Sequence, residues 1–441
     1  MKHLSLVSFI FSLLLVSCAE SEPWIDLIGD RLDNWEQLNG NADFYLVDGT
    51  IVGVSVLNSP NSFLCTKEHY DDFILEFDVL VDPEMNSGVQ IRSHSLPEYH
   101  SGRVHGYQLE LDPSERAWSG GIYDEARRMW LYPLDRNPRG QEAFINGEYN
   151  HFRLEAIGKS IRTWCNGVAC ADLVDDMTLS GFIGLQVHGI GSDSSKMGRK
   201  IIWKNMRIIT DDAASFATPY SKLIPQNSYL VNTLSIREKE EGWRLLFDGS
   251  TLAGWQSVKT GLLPGEGWLV EDGELRRTGP GDDIITTGTY TDFELILDFK
   301  YQPGGNSGIK YFISGDREND PYYDLGCEYQ IVDGRSLSPG MQAREGIGAL
   351  YDILEPVNPR DNGADTWNRA RIVVQGNKVE HWLNNQMTLE YERGGSRWEE
   401  LVAGSKFRDI PGFGEAGEGH ILLQNHEGSE VSFRSIKIKE L

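Results

Sequence analysis

One run of landmarks occurs twice along this chain in the same order, and that repeat limits the possible folds more than any other feature. Phe73-Ile-Leu-Glu-Phe-Asp78 returns as Phe293-Glu-Leu-Ile-Leu-Asp298, and Asn86-Ser-Gly88 as Asn306-Ser-Gly308. Gly106-Tyr-Gln-Leu-Glu-Leu-Asp112 is answered by Gly326-Cys-Glu-Tyr-Gln-Ile-Val-Asp333, and Gly121-Ile-Tyr-Asp124 by Gly348-Ala-Leu-Tyr-Asp352. Trp164-Cys-Asn166 matches Trp382-Leu-Asn384, and Gly184-Leu-Gln-Val-His188 matches Leu423-Gln-Asn-His426. Both copies close on short alternating strands, at 201–209 and 431–438. Shared order over so many landmarks points to a duplication. The 441 residues also exceed what one core usually supports, so two domains of roughly 200 residues are expected.

The copies span 21–211 and 241–441. Between them, 212–240 contains Pro219 and Pro225 and runs into the charged Arg237-Glu-Lys-Glu-Glu241, which reads as a linker ending in a short helix. Within each copy, short β-rich runs alternate with Gly, Asn, Asp and Pro clusters, and no long segment has a 3.6-residue period. With 47 Gly and 8 Met, this predicts an all-β chain of two tandem jelly-roll β-sandwiches. The largest loops are expected at 118–141 and 322–369.

The N-terminus reads as an address. Lys2 and His3 precede an apolar run from Leu4 to Val16 that is too short to span a bilayer, which marks 1–17 as a signal peptide. Leu15-Val16-Ser17-Cys18 resembles the bacterial lipobox, so Cys18 is the expected lipidation site. Glu20-Ser-Glu22 resembles a surface-export signal of bacterial lipoproteins. The expected location is the cell envelope, anchored to the outer membrane through the lipid alone. The formal charge of −25 argues against nucleic acid and anionic membrane surfaces as partners. A neutral sugar is compatible with it, and so is a surface that is acidic only for solubility. Cys65, Cys165, Cys170 and Cys327 remain after Cys18. Cys165 and Cys170 flank the turn dipeptide Asn166-Gly167, so they are either a hairpin disulfide or buried free thiols. Their spacing fits no zinc pattern. No cofactor is expected, and a divalent metal is left open.

Candidate site residues follow from the strand period of two. Asn306, Gly308 and Lys310 share one side of their strand, Glu328 and Gln330 share one side of theirs, and so do Gln424 and His426, and these sets are expected to converge on one concave face. Their counterparts in the first copy are Asn86, Gln90 and Arg92, then Gln108 and Glu110, then Gln186 and His188. Polar pairs on successive strands suit a concave face that holds a sugar through many donors and acceptors. The plainer reading is a solvated sheet face. Most of the 12 Trp read as core, with Trp130 beside Arg127 and Arg128 the best exception as a sugar platform.

Glu241-Gly-Trp-Arg-Leu-Leu-Phe-Asp-Gly249 followed by Leu252-Ala-Gly-Trp255 resembles the opening of the 3-keto-disaccharide hydrolase domain family. Asn306-Ser-Gly308, Glu328-Tyr-Gln-Ile-Val-Asp333, Gly348-Ala-Leu-Tyr351, Trp382-Leu-Asn384, Gln424-Asn-His426 and Val431-Ser-Phe-Arg-Ser-Ile436 continue the pattern in order. The resemblance covers the second copy and, more loosely, the first. It implies concanavalin-like jelly rolls acting on an oligosaccharide or glycoside whose carbon-3 hydroxyl has become a ketone. Such a ketone acidifies the carbon-2 proton, so a base can remove it and expel the glycosidic oxygen. Addition of water then completes a net hydrolysis. On this resemblance Glu328 or His426 is the base, with Lys310 and Tyr351 on the enolate or the leaving oxygen. Asn306, Gln330 and Gln424 would bind substrate. In the first copy the roles fall to Glu110 or His188, with Arg92 and Tyr123, and with Asn86, Gln108, Arg128 and Trp130 as binding residues. Glu and Gln are exchanged between the copies on the central strand, so if one carboxylate position is required, one copy is inactive. The alternative is a surface glycan-binding lipoprotein without turnover. A retaining glycosidase, which needs two carboxylates about 5 Å apart, ranks last.

Overall fold

Alternation along two strands builds the cores. In Phe73–Val81 the side chains of Phe73, Leu75, Phe77 and Val79 point inward and are fully buried, while Glu76 and Asp78 face out. In Phe293–Tyr301, Phe293, Leu295, Leu297, Phe299 and Tyr301 do the same, with Glu294 and Asp298 outward. Each inward side chain of this size contributes about 1.5–3 kcal/mol of hydrophobic stabilisation. The computed structural model describes residues 23–314, 325–337 and 342–441. The signal-peptide and Cys18 expectations therefore lie outside the described residues.

Each copy is a sandwich of two antiparallel sheets, all-β as expected. In the first, one sheet runs Val168–Val174, Ser160–Cys165, Asn150–Ile157, Phe73–Val81, Lys200–Ile209, Thr50–Val54, Asp43–Val47. The facing sheet runs Met129–Tyr132, Ile122–Glu125, His105–Leu111, Ser87–His94, Phe182–Val187, Ser62–Thr66, Trp35–Leu38. The second sandwich repeats this facing sheet without its outer hairpin, in the order Cys327–Val332, Asn306–Ile313, His420–Leu423, Ile284–Thr286, Trp255–Ser257. A bulge recurs at one equivalent position, where Arg92 (φ 46°) and Phe312 (φ 62°) both adopt left-handed backbone.

The stretch 212–240 is packed rather than loose. Asn227–Ser228 adds a parallel strand to Val168–Val174, and the helix Ile236–Glu240 is closed by a capping box between Ser235 and Glu238. Across the seam, Arg369 donates to the Ser228 carbonyl at 2.8 Å and pairs with Asp298 at 2.7 Å. Buried Lys437 reaches Ser228 O at 3.2 Å and pairs with Glu238. Asn385 donates to Tyr229 Oη at 2.6 Å and to Trp130 O at 3.1 Å.

One expectation about loops needs correction. Residues 118–141 contain the hairpin Ile122–Glu125/Met129–Tyr132 rather than an open loop. Within 322–369, Cys327–Val332 is a strand, and the described residues between it and Asn368–Gln375 hold only the short helices Gly334–Ser336 and Gln342–Glu345, while a further long segment that was not expected, 393–419, holds the helix Gly395–Ala403. That helix is one amphipathic turn set seated on Trp398, too short to register as a long period. Cys65, Cys165, Cys170 and Cys327 are buried free thiols, and burial pushes the Cys170 thiol up to about 12.

Candidate active site

The strand pair Asn306–Ile313 and Cys327–Val332 sets the site. Its register places Lys310 opposite Glu328, Gly308 opposite Gln330 and Asn306 opposite Val332. Opposed residues in an antiparallel pair project to the same side, so Lys310, Glu328 and Gln330 share one face. Ile309, Tyr311, Tyr329 and Ile331 turn the other way and are fully buried in the core. On the other flank, Gln424 N donates to Gly308 O at 3.0 Å, which brings Gln424 and the following His426 beside the pair. Tyr351 N donates to Glu328 O at 3.0 Å and so fixes Tyr351 at the edge.

These residues line a single cavity of about 450 Å³, inside the range of small-molecule sites. Its wall includes Asn306, Lys310, Glu328, Gln330, Tyr351, Gln424 and His426, every residue expected in the second copy. The sequence reading missed Leu325, Gly326, Lys406, Phe407 and Ile410, which complete the wall. Lys406, Phe407 and Ile410 lie on the segment 393–419, which has no counterpart of similar length in the first copy, so comparing the copies carried no signal for them.

Glu328 is 7% exposed. Desolvation pushes its carboxyl up to about 7, with Asp283 adding to the rise and Lys310 and Lys406 opposing it. Among the described residues no hydrogen bond engages its carboxylate. Lys310 Nζ lies 3.8 Å from Asp283, and Asp283 also accepts from Asn425 N at 2.7 Å. Lys406 Nζ stands 3.9 Å over the Tyr351 ring. Gln330 Nε2 donates to Asn306 Oδ1 at 3.2 Å. His426 is exposed at the rim, its Nδ1 3.1 Å from Glu427 O. His381 lies outside this face, fully buried with Tyr311 and held neutral by burial, which lowers it to about 3. Among the described residues, no three His, Cys, Asp or Glu side chains group as a metal site would require.

The first sandwich has the same register and different chemistry. Gln90 stands opposite Gln108 and Gly88 opposite Glu110, so Gln90 and Gln108 occupy the places of Lys310 and Glu328. Its carboxylate, Glu110, falls at the place of Gln330. Glu110 accepts from Asn86 at 2.6 Å and from Gln108 at 2.9 Å. Gln108 in turn accepts from Gln90 at 2.6 Å and Gln186 at 3.0 Å. Gln90, Gln108, Glu110 and Gln186 are all buried, so this face is largely engaged with itself. Desolvation pushes Glu110 up to about 7, with the Asn86 and Gln108 bonds opposing. Tyr123 pairs opposite Gln108 and joins this face.

Three of the residues expected in the first copy lie elsewhere, and a fourth, His188, stays at the rim. The bulge turns Arg92 away, and its guanidinium is spent on the Asp71 and Gly158 carbonyls and Asp72. Arg128 is held by Asp124 and Asp175 and stacks on Tyr229 at the seam. Trp130 is closed in edge-on by Trp118 and Tyr123 at 4.6 and 5.0 Å, so it offers no open platform. His188 stands at the place of His426 and, like it, is exposed and turned to the carbonyl of the next residue, Gly189.

Residues 23–209 and 242–439 both match the model of the 3-keto-alpha-glucoside-1,2-lyase-like domain. The chain belongs to this family, with two copies of its domain. It is 30% identical over 259 residues to a 3-keto-disaccharide hydrolase of Bacteroides thetaiotaomicron, covering 52% of this chain and 88% of that protein. A crystal structure of a candidate glycosyl hydrolase from Parabacteroides distasonis is 30% identical, covering 48% of this chain and 99% of that one, with a TM-score of 0.44. A second from the same organism is 27% identical over 45% of this chain and 99% of that one, with a TM-score of 0.34. The protein is therefore carbohydrate-active in type, of the 3-keto-disaccharide hydrolase kind.

Proposed function

We propose that the second sandwich cleaves 3-keto-glycosides and that Glu328 is its base. The observation that carries this reading is a buried carboxylate with a near-neutral pKa opposite Lys310 in a cavity of glycoside size. A general base works best when its pKa lies near the working pH. Glu328 takes the carbon-2 proton, and the electron pair of that bond moves onto the carbon-3 oxygen as an enolate. The enolate collapses to a carbon 1–carbon 2 double bond and the carbon 1–oxygen bond breaks. The departing oxygen receives a proton from Tyr351 or water, and water adding across the double bond completes the hydrolysis. Asn306, Gln330 and Gln424 hold the sugar hydroxyls.

The first sandwich, on this reading, binds glycan without turning it over, since Gln90 and Gln108 stand where the ammonium and the base would be and neither amide can accept a proton. Residues 212–240 join the copies. Cys18 is the lipid anchor to the outer membrane, which a diacylglyceryl mass on the mature N-terminus would bear out. The test of function is incubation of the protein with an aryl 3-keto-glucoside and with the parent glucoside. Aglycone release from the ketone alone supports the reading, and release from both or neither contradicts it.

A further inference from the structure

The segment 393–419 links Gln386–Glu392 to His420–Leu423, where the first sandwich bridges the equivalent strands with only 175–181. It is a packed insertion. Trp398, 1% exposed, stacks on Tyr391 at 5.7 Å and donates its indole N–H to Phe413 O at 3.2 Å. Phe407 stacks on Phe413 at 4.1 Å. Arg393 ties the far end down through the Gly414 and Ala416 carbonyls, at 3.1 and 2.7 Å. This scaffold delivers Lys406, Phe407 and Ile410 to the cavity wall.

Lys406 is fixed at both ends. Its backbone N donates to Asp352 Oδ2 at 2.6 Å, and its ammonium rests on the Tyr351 ring at 3.9 Å. An aromatic face attracts a cation without neutralising it. Among the described residues no carboxylate forms an ion pair with Lys406, whereas Lys310 has Asp283 at 3.8 Å. Of the two ammonium groups on the wall, Lys406 is thus the one whose charge is not matched by an ion-paired acid.

We propose that Lys406 is the cation that receives the enolate oxygen, and that the insertion is what makes the second sandwich catalytic. The inference rests on the functional reading above. When Glu328 removes the carbon-2 proton, the electron pair passes to the carbon-3 oxygen and a full negative charge appears there. A preplaced cation beside that oxygen stabilises the transition state more than the neutral ketone, so it acts on turnover more than on binding. Lys310, paired with Asp283, stays opposite Glu328 and tunes the base. The first sandwich has no such insertion and a Gln at each reacting position.

The experiment compares the full-length protein with Lys406→Met and Lys406→Arg on an aryl 3-keto-glucoside, with melting temperatures as a check on folding. Lys406→Met is expected to lower kcat by about a hundred- to a thousand-fold, the range for loss of one oxyanion donor, with KM changed less than about threefold. Lys406→Arg is expected to recover at least a tenth of kcat. A folded Lys406→Met that keeps more than half of wild-type kcat overturns the inference while leaving the functional reading in place. So does a loss confined to KM. A wild-type protein inert toward the ketone overturns the functional reading, and this inference with it.

Discussion

The Glu328 carboxylate lies across Gly308, so closely that a β-carbon at Gly308 would sit 2.0 Å from Glu328 Oε1. The absent side chain is what gives the carboxylate room over its neighbouring strand. In the first sandwich the same gap over Gly88 is filled by Gln108, 2.4 Å from the equivalent point. One architectural slot thus holds a carboxylate in one copy and an amide in the other.

Gly308→Ala is therefore expected to displace the carboxylate rather than break the strand, because the nearest atoms belong to the end of a flexible side chain. Turnover of a 3-keto-glycoside should fall by about a hundredfold, the order expected for a misplaced reacting group. A melting temperature within a few degrees of wild type would locate the effect in the site. Unchanged kinetics would mean that the position of Glu328 does not matter.

The central-strand glutamate of each sandwich links folding to pH. Glu110 and Glu328 are pushed up to about 7 in the folded chain, against about 4.3 when unfolded. Between those values the folded state holds protons that the unfolded state has released, so stability falls as pH rises through the window. Activity moves the other way, since the base must be ionised, and should rise through about pH 7. Comparing wild type with Glu110→Gln/Glu328→Gln cancels the other titrating groups. The melting-temperature advantage of the double variant should grow from pH 5 to pH 8, and a constant difference would contradict the raised values.

How much of this was legible in the sequence depended on periodicity and repetition. Strand alternation placed Lys310, Glu328 and Gln330 on one face, and the duplication placed Gln424 and His426 beside them. Arg92 was misplaced because a single left-handed residue in the bulge reverses the side-chain alternation, and no local residue type announces it. Trp130 and Arg128 were misplaced because the seam between the sandwiches closes over them. Lys406 was invisible because it sits in sequence found in one copy only.

The packed seam changes what an isolated second sandwich should look like. Cutting at 241 removes Glu238 and Ser228, the partners of Lys437, which is 1% exposed in the intact chain. Loss of the partners of a buried charge is destabilising, by at most about 3–5 kcal/mol where the charge stays buried. A fragment 225–441 should therefore melt cooperatively and well above a fragment 241–441. Equal melting temperatures would mean that the segment belongs energetically to the first sandwich.

The most direct test of the account compares Glu328→Gln with Glu110→Gln in the full-length protein on an aryl 3-keto-glucoside. Each change keeps shape and most hydrogen bonding while removing one carboxylate. Glu328→Gln is expected to lose turnover by roughly a hundred- to ten-thousand-fold, as for a lost general base, and Glu110→Gln to stay within about twofold of wild type. Full turnover in Glu328→Gln, or its loss in Glu110→Gln instead, would contradict the assignment of catalysis to the second sandwich.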